Sequence, residues 1–396
     1  VKPVPILFLG DAPHLPTGLA RIGRDLACHV STLPEFRVGY LGRGGWGSSD
    51  LPFSQYYFPE LAQWGEGYIE AVWSNFAREE RGIIFSIWDA SRLHWMADPT
   101  GVGDRLESFL RSNAFVKWGY FPVDSKGVGD RLTMMTRDTL SRYERVLAYG
   151  KFGAGLIERS IGRPVEWIPH GINLDAFAPR DRQKSREKLG FKEEDLVIGC
   201  VMANQARKDW GLAFATIARL KTKHANLKFW AHVDVIDRHW DLRALIADFE
   251  IRHPDILVTL AGQLDDHDMS DGYSACDLTI LPSLGEGFGY PVVESLACGV
   301  QCITGNYGGA VELIPSDVWK GWLVEPVAER LDTLHNCIRP VYSPVDWAET
   351  IEAALESPLT PAGREMCRGA VEHLDWVKLW PSCWKKWFLE GVHVLP

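Results

Sequence analysis

A chain of 396 residues, 46% hydrophobic and 24% charged, has the make-up of a folded globular protein, and its length favours two or three domains over one. The net charge of −10 argues against broad, sequence-blind binding to nucleic acid, which depends on neutralising phosphates, although a local basic groove remains compatible with it. The longest apolar runs, such as Ile83-Ile84-Phe85 and Leu196-Val197-Ile198, are strand-sized and far short of a membrane span.

The chain opens Val1-Lys2-Pro3-Val4-Pro5 and runs directly into Ile6-Leu7-Phe8-Leu9 without the pattern of a signal peptide, so a cytoplasmic location is expected. Gly10-Asp11 ends that strand, a loop through Pro13, Pro16, Thr17 and Gly18 follows, and a helical pattern runs from Leu19 to Val30. Strand, glycine loop and helix in that order open a Rossmann-like unit. Further short strands are predicted at Arg37–Leu41, Gly82–Ile87, Phe115–Phe121, Arg145–Ala148 and Val165–Ile168, the last ending in Pro169-His170-Gly171. Between Arg37–Leu41 and the next strand, Gly42 to Glu66 carries Gly44, Gly45, Trp46, Tyr56, Tyr57 and Trp64, which read as a surface loop able to offer an aromatic platform.

A charged stretch from Pro179 to Asp195 separates the halves, and a second alternation starts at Leu196–Cys200. Its strands are expected at Leu227–Ala231, Ile256–Leu260, Leu278–Leu281, Val300–Thr304 and Gly321–Val324, with helices such as Leu212–Lys223 and Pro291–Ala297 between them. Two series of alternating strands and helices mean two α/β domains, whose ligands bind at the carboxyl ends of the strands. At the chain's end, Asp375 to Gly391 reads as a helix with Trp376, Trp380, Trp384 and Trp387 on one face. The eight cysteines are irregularly spaced and read as buried free thiols. His232, Asp234, Asp237 and His239, and again Asp265 to Asp268, have ligand-like spacing, but both groups follow strands, where caps and turns use the same residues; no metal site is assigned. Neither a dinucleotide fingerprint after the first strand nor a P-loop is present.

The chemistry concentrates in Pro282-Ser283-Leu284-Gly285-Glu286-Gly287-Phe288-Gly289-Tyr290-Pro291-Val292-Val293-Glu294. A strand ends there, Pro291 suits the first turn of a new helix, and the helix's unpaired N–H groups form a natural diphosphate site. Gly287 and Gly289 let a ligand approach the backbone. Glu286 and Glu294 flank that anion site; carboxylates repel phosphate, so their partners should be hydroxyls. Arg207 and Lys208, after the first strand of the second half, suit the stabilisation of a departing phosphate.

These residues resemble the E-x7-E signature of retaining GT-B glycosyltransferases, the glycosyltransferase 4 group in particular. Ile168-Pro169-His170-Gly171-Ile172-Asn173 resembles that family's inter-domain stretch, Tyr273-Ser274-Ala275-Cys276-Asp277 its Y-x-x-A-D, Ala297-Cys298-Gly299 its A-x-G, and Thr17-Gly18-Leu19 its N-terminal glycine loop. The resemblance implies an α/β, GT-B architecture of two Rossmann-like domains facing across a cleft. An acceptor domain would span 1–171, a nucleotide-sugar donor domain 172–377, and a last helix, about 378–396, would pack back on the first. It also implies that Glu286 and the backbone at Gly287, Phe288 and Gly289 hold the donor sugar, that Glu294 binds the ribose, and that Arg207 and Lys208 neutralise the diphosphate. Gly18, Tyr290 and His170 are further donor-site candidates. Many relatives place a histidine at the end of a middle strand of the first domain; here Trp118 to Asp124 contains none, which leaves Asp124 and Asp89 as the polar candidates. The expected donor is a UDP-, GDP- or ADP-sugar used without a metal, and the expected acceptor a hydroxyl of a saccharide, lipid or small metabolite. Two alternatives stand beside this reading. One is transfer to a hydroxymethylated base in DNA, with Arg21, Arg24, Arg37 and Arg43 lining a groove; the other is a non-catalytic sugar-nucleotide-binding protein.

Overall fold

The computed structural model describes residues 2–47, 50–61, 63–314, 322–333 and 335–393, and divides into two compact units, 1–171 with 377–396 and 172–376. The first unit is built on seven parallel strands: β1 (Val4–Asp11), β2 (Phe36–Arg43), β3 (Ser54–Phe58), β4 (Gly82–Ser86), β5 (Phe115–Phe121), β6 (Arg145–Ala148) and β7 (Glu166–Trp167). Their order in the sheet is β3-β2-β1-β4-β5-β6-β7. Central parallel strands are covered on both faces, which is why Ile6 to Leu9 and Ile83 to Phe85 are uninterrupted apolar runs with every side chain buried. Sequence order reverses between β1 and β4, so the carboxyl ends of these two neighbours flank a switch point, the usual ligand position in such sheets.

β3 lies inside the stretch expected to be a loop. Ser54-Gln55-Tyr56-Tyr57-Phe58 has the aromatic content of a strand, but at the sheet's edge only Phe58 is buried, so the hydrophobic signal is faint. The helix Gly18–Val30 starts where Thr17 caps it, its hydroxyl accepting from the Ala20 N–H at 3.0 Å. At the other end of the chain, the segment from Trp376 runs as a short α-helix, a π-turn at Trp380–Trp384 and a final helix, Lys385–His393; residues 394–396 lie outside the described residues. Trp384, Trp387 and Phe388 are buried against Phe85, Trp118 and Tyr120. Trp384 Nε1 donates to Pro169 O at 3.2 Å, and Arg145 lies over the Trp387 ring at 3.9 Å while donating to the Trp387 carbonyl at 2.8 Å. Burial of each such ring contributes roughly 1.5–3 kcal/mol, enough to hold a terminal segment in place.

The second unit carries six parallel strands: β8 (Leu196–Val201), β9 (Leu227–Val233), β10 (Ile256–Leu260), β11 (Leu278–Leu281), β12 (Cys302–Gly305) and β13 (Leu323–Val324). They are ordered β10-β9-β8-β11-β12-β13. Of the strand expected at Gly321–Val324, Gly321 lies outside the described residues. The reversal now falls between β8 and β11, which pair directly, Ile280 opposite Cys200. Asp277, just before β11, ties this sheet to the helix Arg182–Leu189: its carboxylate accepts from Arg182, from Arg186 at 2.8 Å and from the Val197 N–H at 2.8 Å. A small antiparallel hairpin, β14 (Ala328–Leu331) with β15 (Ile338–Val341), has no counterpart in the sequence reading, because β14 is exposed along its whole length and lacks an apolar face. All eight cysteines are free thiols. Among the described residues no helix is long and apolar enough to cross a membrane.

Candidate functional site

The pairing of β8 with β11 decides what lies beside what in the second unit. The loop leaving β8 carries Arg207 and Lys208, and the loop leaving β11 carries Ser283 to Gly289, so adjacent strands deliver the two loops to the same edge. The loops are joined by backbone: Lys208 bridges Ser283, and the Leu284 N–H donates to Arg207 O at 2.8 Å. Lys208 Nζ donates to Glu286 Oε1, and Arg207 approaches the same oxygen at 3.7 Å. Both Lys208 and Glu286 are 6% exposed. Burial by itself would push the Glu286 carboxyl up, but Lys208 and then Arg207 outweigh it and hold the group below its usual value, ionised. A buried pair of this kind contributes little net stability, yet removing either partner leaves an uncompensated charge.

The loop after Glu286 is shaped by close approach. A Cβ on Gly309 would sit 2.3 Å from Gly287 O, and the Gly309 N–H donates to Glu286 O at 2.7 Å. Gly289 adopts φ +109°, a conformation that side-chain-bearing residues rarely tolerate, and it immediately precedes the helix Tyr290–Ala297. Pro291 occupies the first turn, Phe288 is buried, and its ring meets that of Tyr290 edge-on at 5.5 Å. One turn into the helix, buried Glu294 accepts a hydrogen bond from the Tyr273 hydroxyl at 2.6 Å. Glu286, Gly287, Phe288, Gly289, Tyr290, Arg207 and Lys208 thus form one continuous structure, with Glu294 on the helix that it opens. Such an edge offers cations, helix N–H groups and two carboxylates, the combination that suits a sugar diphosphate.

The remaining candidates belong to the first unit. Gly18 is the exposed first residue of its helix. Asp89 is exposed ahead of the short turn Ala90–Leu93, where its carbonyl accepts from the Arg92 N–H at 2.9 Å. Asp124 is half-buried beyond β5, accepting from the Ser125 hydroxyl at 3.0 Å. His170 is buried, its ring packed against those of Tyr120 and Tyr149. The Tyr120 hydroxyl donates to Ile168 O at 2.6 Å and lies 2.8 Å from His170 Nδ1, so Nδ1 carries the proton and donates. Burial, followed by the charge of Arg21, pushes the imidazole well below its usual value, so the ring is neutral.

Sequence reasoning did not single out Asp11. At the end of β1 it accepts from Trp88 Nε1 at 2.9 Å and from the Thr17 hydroxyl at 2.9 Å. Burial raises its carboxyl above the usual range, while those two hydrogen bonds pull it down. The dipeptide Gly10-Asp11 gave only a strand end; the contact with Trp88, 77 residues away, follows from the pairing of β1 with β4.

The aromatic stretch also resolves into parts. Tyr56 and Tyr57 lie on β3, Trp46 is 84% exposed beside Tyr57, and the guanidinium groups of Arg43 and Arg92 lie 4.2 and 4.8 Å from the centre of the Trp64 ring; residues 48, 49 and 62 lie outside the described residues. Arg37, Arg24 and Arg43 donate to carbonyls and carboxylates of their own unit, namely Phe76 O and Glu80, Asp25 and Pro13 O, and Gln63 O and Glu60 O. The ligand-like groups of the second unit act as caps and ties: Asp265 caps the helix Asp266–Ala275, and Asp234 accepts from the Asn204 N–H and Arg238. In the first unit, donor atoms of His94, Asp98 and Asp138 lie within 4.8 Å of one another. Asp98 is engaged by Thr100, and Asp138 by His94 and Arg142, so a surface network accounts for the group.

Residues 181–362, which contain both loops, match the family described as Glycosyl transferases group 1. A D-inositol 3-phosphate glycosyltransferase of Mycobacterium sp. (strain KMS) is 28% identical over 226 residues, 53% of this chain and 42% of that protein, so the chain spans under half of that relative's length. The Geodermatophilus obscurus protein of the same name is 26% identical over 94% of this chain and 85% of its own. Among solved structures, sucrose-phosphate synthase from Thermosynechococcus elongatus superposes with a TM-score of 0.73 at 16% identity, covering 98% of this chain and 100% of that one. Anabaena HepE, solved with UDP and glucose, gives 0.70 at 16% identity over 99% and 100%. Residues 181–362 therefore match the glycosyl transferases group 1 family, and the chain as a whole has the GT-B fold of two Rossmann-like α/β units.

Proposed function

We propose that the protein is a retaining glycosyltransferase that moves a sugar from a nucleoside diphosphate sugar to an acceptor hydroxyl. The observation that carries this reading is the junction of the β8 and β11 loops, where Arg207 and Lys208 meet Glu286 at the start of a helix that holds Glu294. In the reaction, the bond between the sugar's anomeric carbon and the diphosphate oxygen breaks, and negative charge grows on the leaving group. Arg207, Lys208 and the N–H groups at the helix start stabilise that charge, which lowers the barrier to departure. Glu286 and the backbone of Gly287, Phe288 and Gly289 hold the sugar's hydroxyls, while Glu294 takes the ribose. Tyr290 completes the donor contacts of this unit; Gly18 and His170 are the first unit's donor-side candidates, and Asp124 and Asp89 its polar candidates for the acceptor.

The acceptor hydroxyl attacks from the face the diphosphate leaves and passes its proton to a leaving phosphate oxygen, so no separate base is needed. Because the basic pair performs the charge stabilisation, turnover should continue in EDTA. HepE, crystallised with UDP and glucose, makes a UDP-sugar the first donor to try, and relatives named for D-inositol 3-phosphate favour a small-metabolite acceptor. The test is proton NMR of freshly formed product from a donor of known anomer. Retention of configuration supports the reading; inversion would overturn it and make Asp124 or Asp89 the general base.

A further inference from the structure

We infer that Tyr273 is a positioning residue for nucleotide recognition, its buried hydroxyl fixing one oxygen of Glu294 and thereby setting that carboxylate for the two hydroxyls of a ribose. The inference rests on the assignment of Glu294 to the ribose. Tyr273 lies on the helix Asp266–Ala275 and Glu294 on the helix Tyr290–Ala297, so the hydrogen bond of 2.6 Å from phenol to Oε2 joins two elements. Tyr273 is fully buried, and Glu294 is 6% exposed. Burial, then the neighbouring carboxylate, pushes the phenol well above its usual titration range, so it keeps its proton and can only donate here.

The ring itself is held in place. Trp230 meets it edge-on at 5.7 Å and 88°, and Phe177 packs at 6.4 Å. Trp230 is fixed in turn, its Nε1 donating to Thr259 Oγ1 at 3.0 Å. Gly272 leaves room for that indole; a Cβ there would lie 2.3 Å from it. A ribose presents two adjacent hydroxyls, and a carboxylate can accept from both only when its plane is set correctly. A tyrosine anchored through Trp230 to Thr259 supplies that orientation before the nucleotide arrives, lowering the ordering cost of binding. Simple helix-to-helix adhesion would affect stability but treat ribose and deoxyribose nucleotides alike.

The test is calorimetric titration of UDP and its 2′,3′-dideoxyribose analogue into wild type, Tyr273→Phe, Glu294→Ala and the double variant, with melting temperatures recorded. Phenylalanine keeps the packing against Trp230 and removes only the donor. We expect the preference of wild type for UDP over the analogue to fall about tenfold or more in Tyr273→Phe, with no further fall when that change is added to Glu294→Ala. A preference that disappears in Glu294→Ala but stays at the wild-type level in Tyr273→Phe overturns the positioning role alone. A preference that survives in Glu294→Ala, or is missing from wild type, overturns the ribose assignment and this inference with it. If Tyr273→Phe proves unfolded at the assay temperature, Glu294→Gln decides: its amide oxygen can still accept from Tyr273, so it should keep part of the preference lost in Glu294→Ala. Behaviour identical to Glu294→Ala would count against the positioning role.

Discussion

The carboxyl edges of the two sheets are built on the same topology and furnished in opposite ways. In the second unit the charges are mutually fixed: buried Lys208 and half-buried Arg207 on buried Glu286, and Tyr273 on buried Glu294. In the first unit the corresponding ends of β1, β4 and β5 carry Asp11 held by Trp88 and Thr17, exposed Asp89 and half-buried Asp124, beside a surface of aromatic rings and arginines. A diphosphate and a ribose are constant features of a nucleotide-sugar donor, so a rigid site suits them. An edge with more exposed groups suits a partner whose chemistry varies from one enzyme to another. On the proposed function, the second unit can be read for reaction type, whereas the first would determine which hydroxyl receives the sugar.

The comparison breaks most sharply at Lys208. Lys208→Ala should lower turnover at saturating donor by about a hundredfold to a thousandfold, since it removes one stabiliser of the leaving group's charge. Asp89→Asn, at the carboxyl edge of the first unit, should leave nucleotide affinity unchanged. Initial rates and titrations on both variants check the pair, and wild-type turnover in Lys208→Ala would reduce that residue to a structural cation. Next in size, Glu294→Ala should weaken binding of the nucleoside diphosphate by about 1.5–3 kcal/mol.

Both units also bury a neutral histidine, which offers a comparison through pH. His232 is pushed down to about 4, chiefly by burial, and lies 2.8 Å from Thr259 Oγ1. Its folded pKa is below the unfolded value of 6.5, so both states are neutral above that pH and the residue then makes no pH-dependent contribution. As pH falls from 6.5 towards 4, the unfolded chain takes up a proton that the folded one does not, and stability declines. His232→Gln should therefore recover about 2 kcal/mol of the stability lost between neutral pH and pH 5 in denaturant titrations. A decline of the same size in wild type and variant would place the acid sensitivity elsewhere, with His170 the next to examine. The smallest effect is expected for Thr17→Ala, about 1 kcal/mol from loss of the helix cap, with nucleotide affinity unaltered.

How far these features could be read from sequence follows the same divide. The glycine loop with its flanking carboxylates is contiguous, so Glu286 to Glu294 is legible as a loop that opens a helix, and uninterrupted apolar runs mark the buried strands. The ion pair of Lys208 with Glu286 spans 78 residues and becomes intelligible only once β8 and β11 are known to be neighbours. Tyr273 could be quoted as part of a motif, but nothing local shows that its hydroxyl reaches Glu294. The edge strand β3 and the exposed hairpin of β14 and β15 bury too little for hydrophobic periodicity to register. Asp11 is not legible because its partner Trp88 lies just beyond β4, the neighbouring strand in the sheet and a long way along the chain.

Calorimetric titration of UDP, GDP and ADP shows whether the second unit's loop junction binds a nucleoside diphosphate. At least one should bind wild type at a ratio of one to one, and its affinity should fall in both Glu294→Ala and Lys208→Ala. If none of the three binds, or if the bound nucleotide is indifferent to both substitutions, the account is contradicted.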